Sequence, residues 1–138
     1  GKTVVIEDSG TNAKQQFERS KGYDVFNDKL RMVVLINGGS ASASEILAGA
    51  LREHGIAKLV GEKSFGKGSV QELVEITPET SLKVTIARWL TPKGKSISEN
   101  GLEPDFKVEI TKKDIEKKLD QQMERAAEIL KDPNYKRN

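Results

Sequence analysis

The chain contains no cysteine and a single histidine, His54. The first absence excludes thiol catalysis, disulfides and thiolate metal sites. The second leaves a serine nucleophile with few candidate bases other than lysine, and gives His54 no second His or Cys with which to build a metal site. Aromatics are scarce: one tryptophan, two tyrosines and four phenylalanines, so a core must come from Val, Ile, Leu and Ala. No apolar run is long enough to span a bilayer as a helix, and no signal-peptide pattern is present. Neither sign of charge dominates. With 23 basic and 21 acidic residues the net charge is +2, which makes no electrostatic case for nucleic acid or an anionic membrane. Internal repeats and low-complexity segments are also missing.

What remains is a 138-residue chain, the length of one domain. A chain of this size buries roughly two-thirds of its unfolded surface. Gly1-Lys2-Thr3 leads straight into Val4-Val5-Ile6, which reads as a cut made just before a strand, so a fragment is expected. A first strand is read at 3–7 and a second near 13–19, pairing back as a hairpin. The run Met32-Val33-Val34-Leu35-Ile36, stopped by Asn37-Gly38-Gly39, suits a strand buried on both faces, as in a parallel sheet. A helix then starts near Ser42, with Ile46, Leu47, Ala50 and Leu51 at helical spacing and Gly55 as its C-terminal signal. Residues 57–60 form the next strand, completing a strand–helix–strand crossover. Beyond it the pattern is antiparallel, with strands at 69–76 and 82–90 and a type I turn at Thr91-Pro92-Lys93-Gly94. A short strand is read at 106–110. Thr111 and Asp114 open a capping-box-like start to one amphipathic helix over 111–131, striped by Ile115, Leu119, Met123, Ala126, Ala127 and Leu130.

Three residues carry the candidate chemistry. Ser42 lies in Gly38-Gly39-Ser40-Ala41-Ser42-Ala43-Ser44-Glu45; Lys67 and Gln71 lie in Gly66-Lys67-Gly68-Ser69-Val70-Gln71. If they meet in space they form a serine hydrolase with an amine as base. Each has a plainer reading. Ser42-x-x-Glu45 is a capping box worth about 1 kcal/mol without any catalysis. Most lysines are solvated, and an isolated glutamine on a strand faces solvent by default. The readings for Ser42 are compatible, because a helix start offers unpaired N–H groups and positive dipole to an oxyanion. The amide of Ala43 is the candidate donor. Lys67 acts as a base only when neutral, a state that apolar burial favours. In an extended segment residues 67, 69 and 71 share a face, so the Gln71 carbonyl could orient the Lys67 amine.

Gly61-Glu62-Lys63-Ser64-Phe65-Gly66-Lys67 fits seven positions of a phosphate-binding loop. The eighth, which should be Ser or Thr, is Gly68, and a strand rather than a helix follows, so nucleotide binding is disfavoured. His54 is read as a helix C-cap.

At these residues the chain resembles the C-terminal processing, or tail-specific, proteases. The resemblance runs through Leu35–Ile46, Gly61–Gln71, Leu90–Gly94 and Gly101–Asp105 in order. It implies Ser42 as nucleophile, Lys67 as general base and Gln71 as the residue orienting Lys67, with no cofactor or metal. It implies an α/β fold, the spiral mixed-sheet core with crossover helix shared with Clp-type proteases and crotonases. Residues 1–138 would then be the C-terminal part of the catalytic core. The PDZ domain and the upstream segment, whose glycine-rich loop gives the second oxyanion donor, lie outside it. Partners implied are proteins with unstructured C-terminal tails, and the location is the bacterial periplasm and cell envelope or the thylakoid lumen. An uncovered sheet edge would favour self-association into a homo-oligomer. A different class of function, a non-catalytic assembly or binding fragment, stands beside this one. Hydrogen-bond contact between Ser42 Oγ and the Lys67 amine separates the two.

Overall fold

A computed structural model describes residues 1–10, 14–22, 29–98 and 100–136. In chain order the elements are β1 (Thr3–Asp8), β2 (Gln16–Arg19), β3 (Val33–Ile36), α1 (Ala43–Glu53) and β4 (Lys58–Gly61). There follow β5 (Ser69–Thr77), β6 (Thr80–Leu90), β7 (Phe106–Lys107), α2 (Lys112–Glu116) and α3 (Gln121–Lys131). They form two sheets. One is antiparallel, in the order β2-β1-β6-β5; the other is parallel, in the order β3-β4-β7. The mixed α/β architecture and the β3–α1–β4 crossover match the sequence pattern.

The crossover forms where a β-branched run meets a helix with a sharp stop. Gly55, at φ 69°, follows the C-cap His54 and turns the chain into β4. Ile36, Ala48, Leu59 and Leu102 make the core of this layer, with Val34 packed against it. The helix face differs from the stripe drawn from sequence. Leu47 is 58% exposed, whereas Ala48, Gly49 and Ala50 are buried. Small residues therefore face the core, bringing the α1 backbone close to Leu102 and Thr91. β3 is also not buried on both faces: it is a sheet edge, and Leu35 is exposed.

The Thr91–Gly94 turn closes with Gly94 N–H donating to the Thr91 carbonyl at 2.8 Å. β7 is shorter than expected and runs parallel to β4. The terminal helix expected over 111–131 is two helices. Lys118 adopts φ 54° and ends the first, and the Asp120 carboxylate caps the second by accepting the Met123 amide. This break resets the helical phase. Gln122, Ala126 and Ile129 are buried, while Ile115, Leu119 and Met123 from the expected stripe are exposed. The Thr111–Asp114 capping box does form, and the Thr111 hydroxyl and amide hold the Asp114 carboxyl below the usual aspartate range. Among the described residues no helix is long and apolar enough to cross a membrane.

Candidate active site

The end of β3 delivers Ser42 through a tight turn. Ser40 N–H donates to the Asn37 carbonyl at 2.8 Å, and Gly39 N–H to Asn37 Oδ1 at 2.9 Å. Ser42 then becomes the N-cap of α1 with φ 53° and ψ −117°, a conformation disfavoured for a residue with a Cβ. The cost of such strain is about 1–3 kcal/mol, and it persists only where surrounding bonds over-determine it. Here the Ser42 carbonyl accepts the amides of Glu45 at 2.9 Å and Ile46 at 3.0 Å. Its own N–H donates to Glu45 Oε2 at 3.0 Å. The hydroxyl faces the Glu45 amide in a capping-box arrangement without a side-chain cap hydrogen bond. Ala43 is exposed, and among the described residues its amide has no acceptor. An open amide beside a serine at a helix start is suited to a developing oxyanion.

Lys67 lies in the loop from β4 to β5, and that loop is fastened to the serine turn. Phe65 N–H donates to the Ser40 carbonyl at 2.9 Å. The Glu45 carboxylate supplies three more ties: the Ser64 hydroxyl and the Gly66 amide, at 2.7 Å, donate to Oε1, and the Lys67 amide donates to Oε2 at 2.9 Å. The two glycines around the lysine act differently. Gly66 takes φ 88°, while Gly68 permits close approach, since a Cβ there would lie 2.6 Å from the Ser98 nitrogen.

The backbones carrying Ser42 and Lys67 are thus brought together, but the side chains are not in contact. Among the described residues no hydrogen bond links the Ser42 hydroxyl to the Lys67 amine, and Lys67 is exposed. Gln71 Nε2 instead donates to Thr85 Oγ1 at 3.4 Å. Lys67 precedes β5, and the β5–β6 register shifts between Val70 and Gln71, so one flat strand face does not carry 67, 69 and 71. The phosphate-loop alternative fails in structure as in sequence, because β5 rather than a helix follows Lys67. Two surface clefts, one bordered by Lys58, Phe106 and Tyr135 and one by Arg52, His54 and Lys93, contain none of the three candidates. His54 is the α1 C-cap, and its Nε2 lies 2.6 Å from the Thr3 carbonyl oxygen.

The residue that sequence reasoning undervalued is Glu45. Ser-x-x-Glu signals its cap role, but its bonds to Ser64, Gly66 and Lys67 span 19 to 22 positions and leave no local pattern. Ser64 extends the network by accepting the Leu102 amide at 2.6 Å. Two further carboxylates pin neighbouring segments. Glu53 accepts the Thr91 hydroxyl and the Lys93 amide; Asp105 accepts the Leu59 amide and pairs with Arg52 at 2.7 Å. Among the described residues no group of three or more His, Asp or Glu side chains could hold a metal.

The sequence pattern of peptidase family S41 matches residues 1–108. The chain is 44% identical over 109 residues to the carboxy-terminal-processing protease of Bartonella bacilliformis, covering 79% of this chain and 25% of that protein. It is 50% identical over 84 residues to the chloroplastic carboxyl-terminal-processing peptidase 3 of Arabidopsis thaliana, covering 61% of this chain and 16% of that one. The solved photosystem II D1 C-terminal processing protease superposes with a TM-score of 0.71 at 29% identity, over 99% of this chain and 33% of its own. The chain therefore spans a quarter or less of these two sequence relatives. It belongs to peptidase family S41, the serine-type C-terminal processing peptidases.

Proposed function

We propose that the chain carries the Ser-Lys dyad of an endopeptidase acting near protein C-termini, with Ser42 as nucleophile, Lys67 as base and Gln71 orienting the amine. The observation that carries this reading is the joining of the two loops: Phe65 bonded to Ser40, and Glu45 bonded to both Ser42 and Lys67. In the reaction, Ser42 Oγ attacks the scissile carbonyl as its proton passes to Lys67 Nζ. The Ala43 amide takes the oxyanion, the proton passes on to the leaving amine, and an acyl-enzyme remains. Water then attacks the ester carbonyl as Lys67 accepts its proton; the acyl–Oγ bond breaks, Lys67 returns the proton to Ser42 Oγ, and the product leaves with a new C-terminal carboxyl. The two backbones are held together while the side chains make no hydrogen bond, so this reading requires the Lys67 side chain to swing to the hydroxyl. One donor makes half an oxyanion hole, and losing a donor costs about 10²–10³ in rate in other serine proteases. The 138 residues alone are accordingly expected to be far less active than the intact protein.

The spiral Clp-type and crotonase-like topology, and a location in the cell envelope or thylakoid lumen, belong to the same proposal; the chloroplastic relative supports the second. The test is cleavage of a protein ending in an unstructured apolar tail by the intact protein and its Ser42→Ala and Lys67→Ala variants. Both should lose turnover, and retained turnover in either would refute the dyad. An assembly role is favoured by two observations: among the described residues the Ser42 hydroxyl and the Lys67 amine share no hydrogen bond, and the β5–β6 hairpin is apolar on its surface. Val74, Ile76, Leu82 and Val84 leave the β5–β6 hairpin with an exposed apolar surface. A monomer in sedimentation at all concentrations would remove that second role.

A further inference from the structure

Glu45 is wholly buried. Burial of a carboxylate is costly unless it is paired or fully hydrogen-bonded. Among the described residues no Lys or Arg side chain pairs with it. Its acceptor positions are filled instead by four donors: Ser42 N–H, the Ser64 hydroxyl, Gly66 N–H and Lys67 N–H. A residue serving only as a helix cap needs the first of these. The other three come from the loop that bears the lysine. Oε2 is shared, taking the Ser42 amide at 3.0 Å and the Lys67 amide at 2.9 Å. A single oxygen atom thus stands between the backbone of the nucleophile and that of the base.

We propose that Glu45 is the positioning residue of this active site, a buried clasp whose one oxygen sets the span between the Ser42 turn and the Lys67 loop. The inference rests on the assignment of Ser42 and Lys67 made above. The clasp grips main-chain amides and leaves the Ser42 hydroxyl and the Lys67 amine free to react. Its bond to the Ser42 amide also opposes relaxation of the positive φ. Glu45 itself touches neither substrate nor the reacting atoms.

The defining feature is reach rather than charge, so two substitutions separate the roles. Glu45→Asp keeps the charge but withdraws the carboxylate by one methylene, so it cannot hold both loops. Glu45→Gln keeps the length and one acceptor oxygen. In the intact protein, assayed well below the melting temperature, Glu45→Asp should lower kcat about 10²-fold with KM within about threefold, as expected for a misplacement near 1 Å. Glu45→Gln should retain more activity than Glu45→Asp. Asp105→Ala, destabilised at a site away from the dyad, should keep kcat within about twofold, so that loss of rate does not track loss of stability. Activity of Glu45→Asp equal to or above that of Glu45→Gln would overturn the clasp.

If neither variant folds, amide hydrogen exchange of the unmodified protein decides. The Gly66, Lys67 and Ser42 amides should exchange together, slowly, as one unit with α1. Exchange of Gly66 and Lys67 as fast as Glu79 at the hairpin tip would overturn the proposal. Ser42→Ala and Lys67→Ala run alongside keep the two failures apart. If they remain active, the dyad assignment falls; if they are dead while both Glu45 variants keep full kcat, only the clasp falls.

Discussion

Gly68→Ala should damage both stability and turnover, and the size of each effect follows from one contact. A Cβ on residue 68 would sit 2.6 Å from the Ser98 backbone nitrogen and 2.9 Å from Ile97 Cβ. Ordinary contact begins near 3.4 Å, so the loop must retreat by roughly 0.8 Å. Overpacking of this kind costs about 1–3 kcal/mol. For a domain of this size each kcal/mol lowers Tm by roughly 3–5 °C, giving an expected drop of about 3–15 °C. The retreat also carries Lys67, the adjacent residue. A displacement approaching 1 Å at a catalytic group costs about 10²-fold in rate, so kcat should fall by one to two orders of magnitude in the folded protein. The assay is thermal unfolding by circular dichroism together with single-turnover cleavage of a tailed substrate well below Tm. Trimming the neighbour in Gly68→Ala/Ile97→Ala should recover little, because the nearest atom is main chain. Unchanged Tm and kcat in the single variant, or full rescue in the double, would refute the reasoning.

Asp105→Ala leaves the amide of the fully buried Leu59 without its acceptor, and should cost about 1–3 kcal/mol in urea unfolding. Asp105→Asn keeps an acceptor and loses only the Arg52 pair, which is partly solvated, so it should cost about 1 kcal/mol or less. Equal losses in the two variants would show that the pair, not the amide bond, matters. The α2 cap should respond to acid. The folded-state pKa of Asp114 lies below its unfolded value, so its contribution is present above the unfolded value and is lost as pH falls through the folded one. Amide chemical shifts of Thr111 and Asp114 should therefore move only at pH below the ordinary aspartate range. A midpoint at or above that range would contradict the cap.

The crossover was readable because its signals are local. Val33 to Ile36 carry strand propensity, Asn37-Gly38-Gly39 stops the strand, and Gly55 ends the helix within a few residues of where it was expected. The hairpin of β5 and β6 and the Thr91–Gly94 turn were readable for the same reason. The terminal helix was not. Its apolar residues fit one continuous period, but the left-handed residue at Lys118 has no sequence signature, and Asp120 signals a new N-cap only once the break is known. The face of α1 is not legible from side-chain size, because the close approach to Leu102 selects Ala48 and Gly49 over Leu47. In the site, sequence marks Ser42, Lys67 and Gln71, whereas the structure joins only the main-chain amides of the first two, through Glu45, and turns Gln71 to Thr85. The carboxylate between them was legible only as a cap, since its remaining partners come from a loop about twenty positions away.

The small-residue face of α1 has a mechanical consequence. Where large side chains interdigitate, a helix can tolerate an added methyl by rotamer adjustment. Ala48 is 1% exposed, and the neighbouring Gly49 has the Thr91 and Leu102 side chains just beyond where a Cβ would sit. There is little give in such a seat. Any side chain larger than alanine at position 48 would act as a shim beneath the helix, tilting its first turn and Ser42 with it, although no altered atom would lie within the site. Tolerance at Ser42, the proposed nucleophile, is thus set about two turns of helix away, by how little material lies between a helix and its floor.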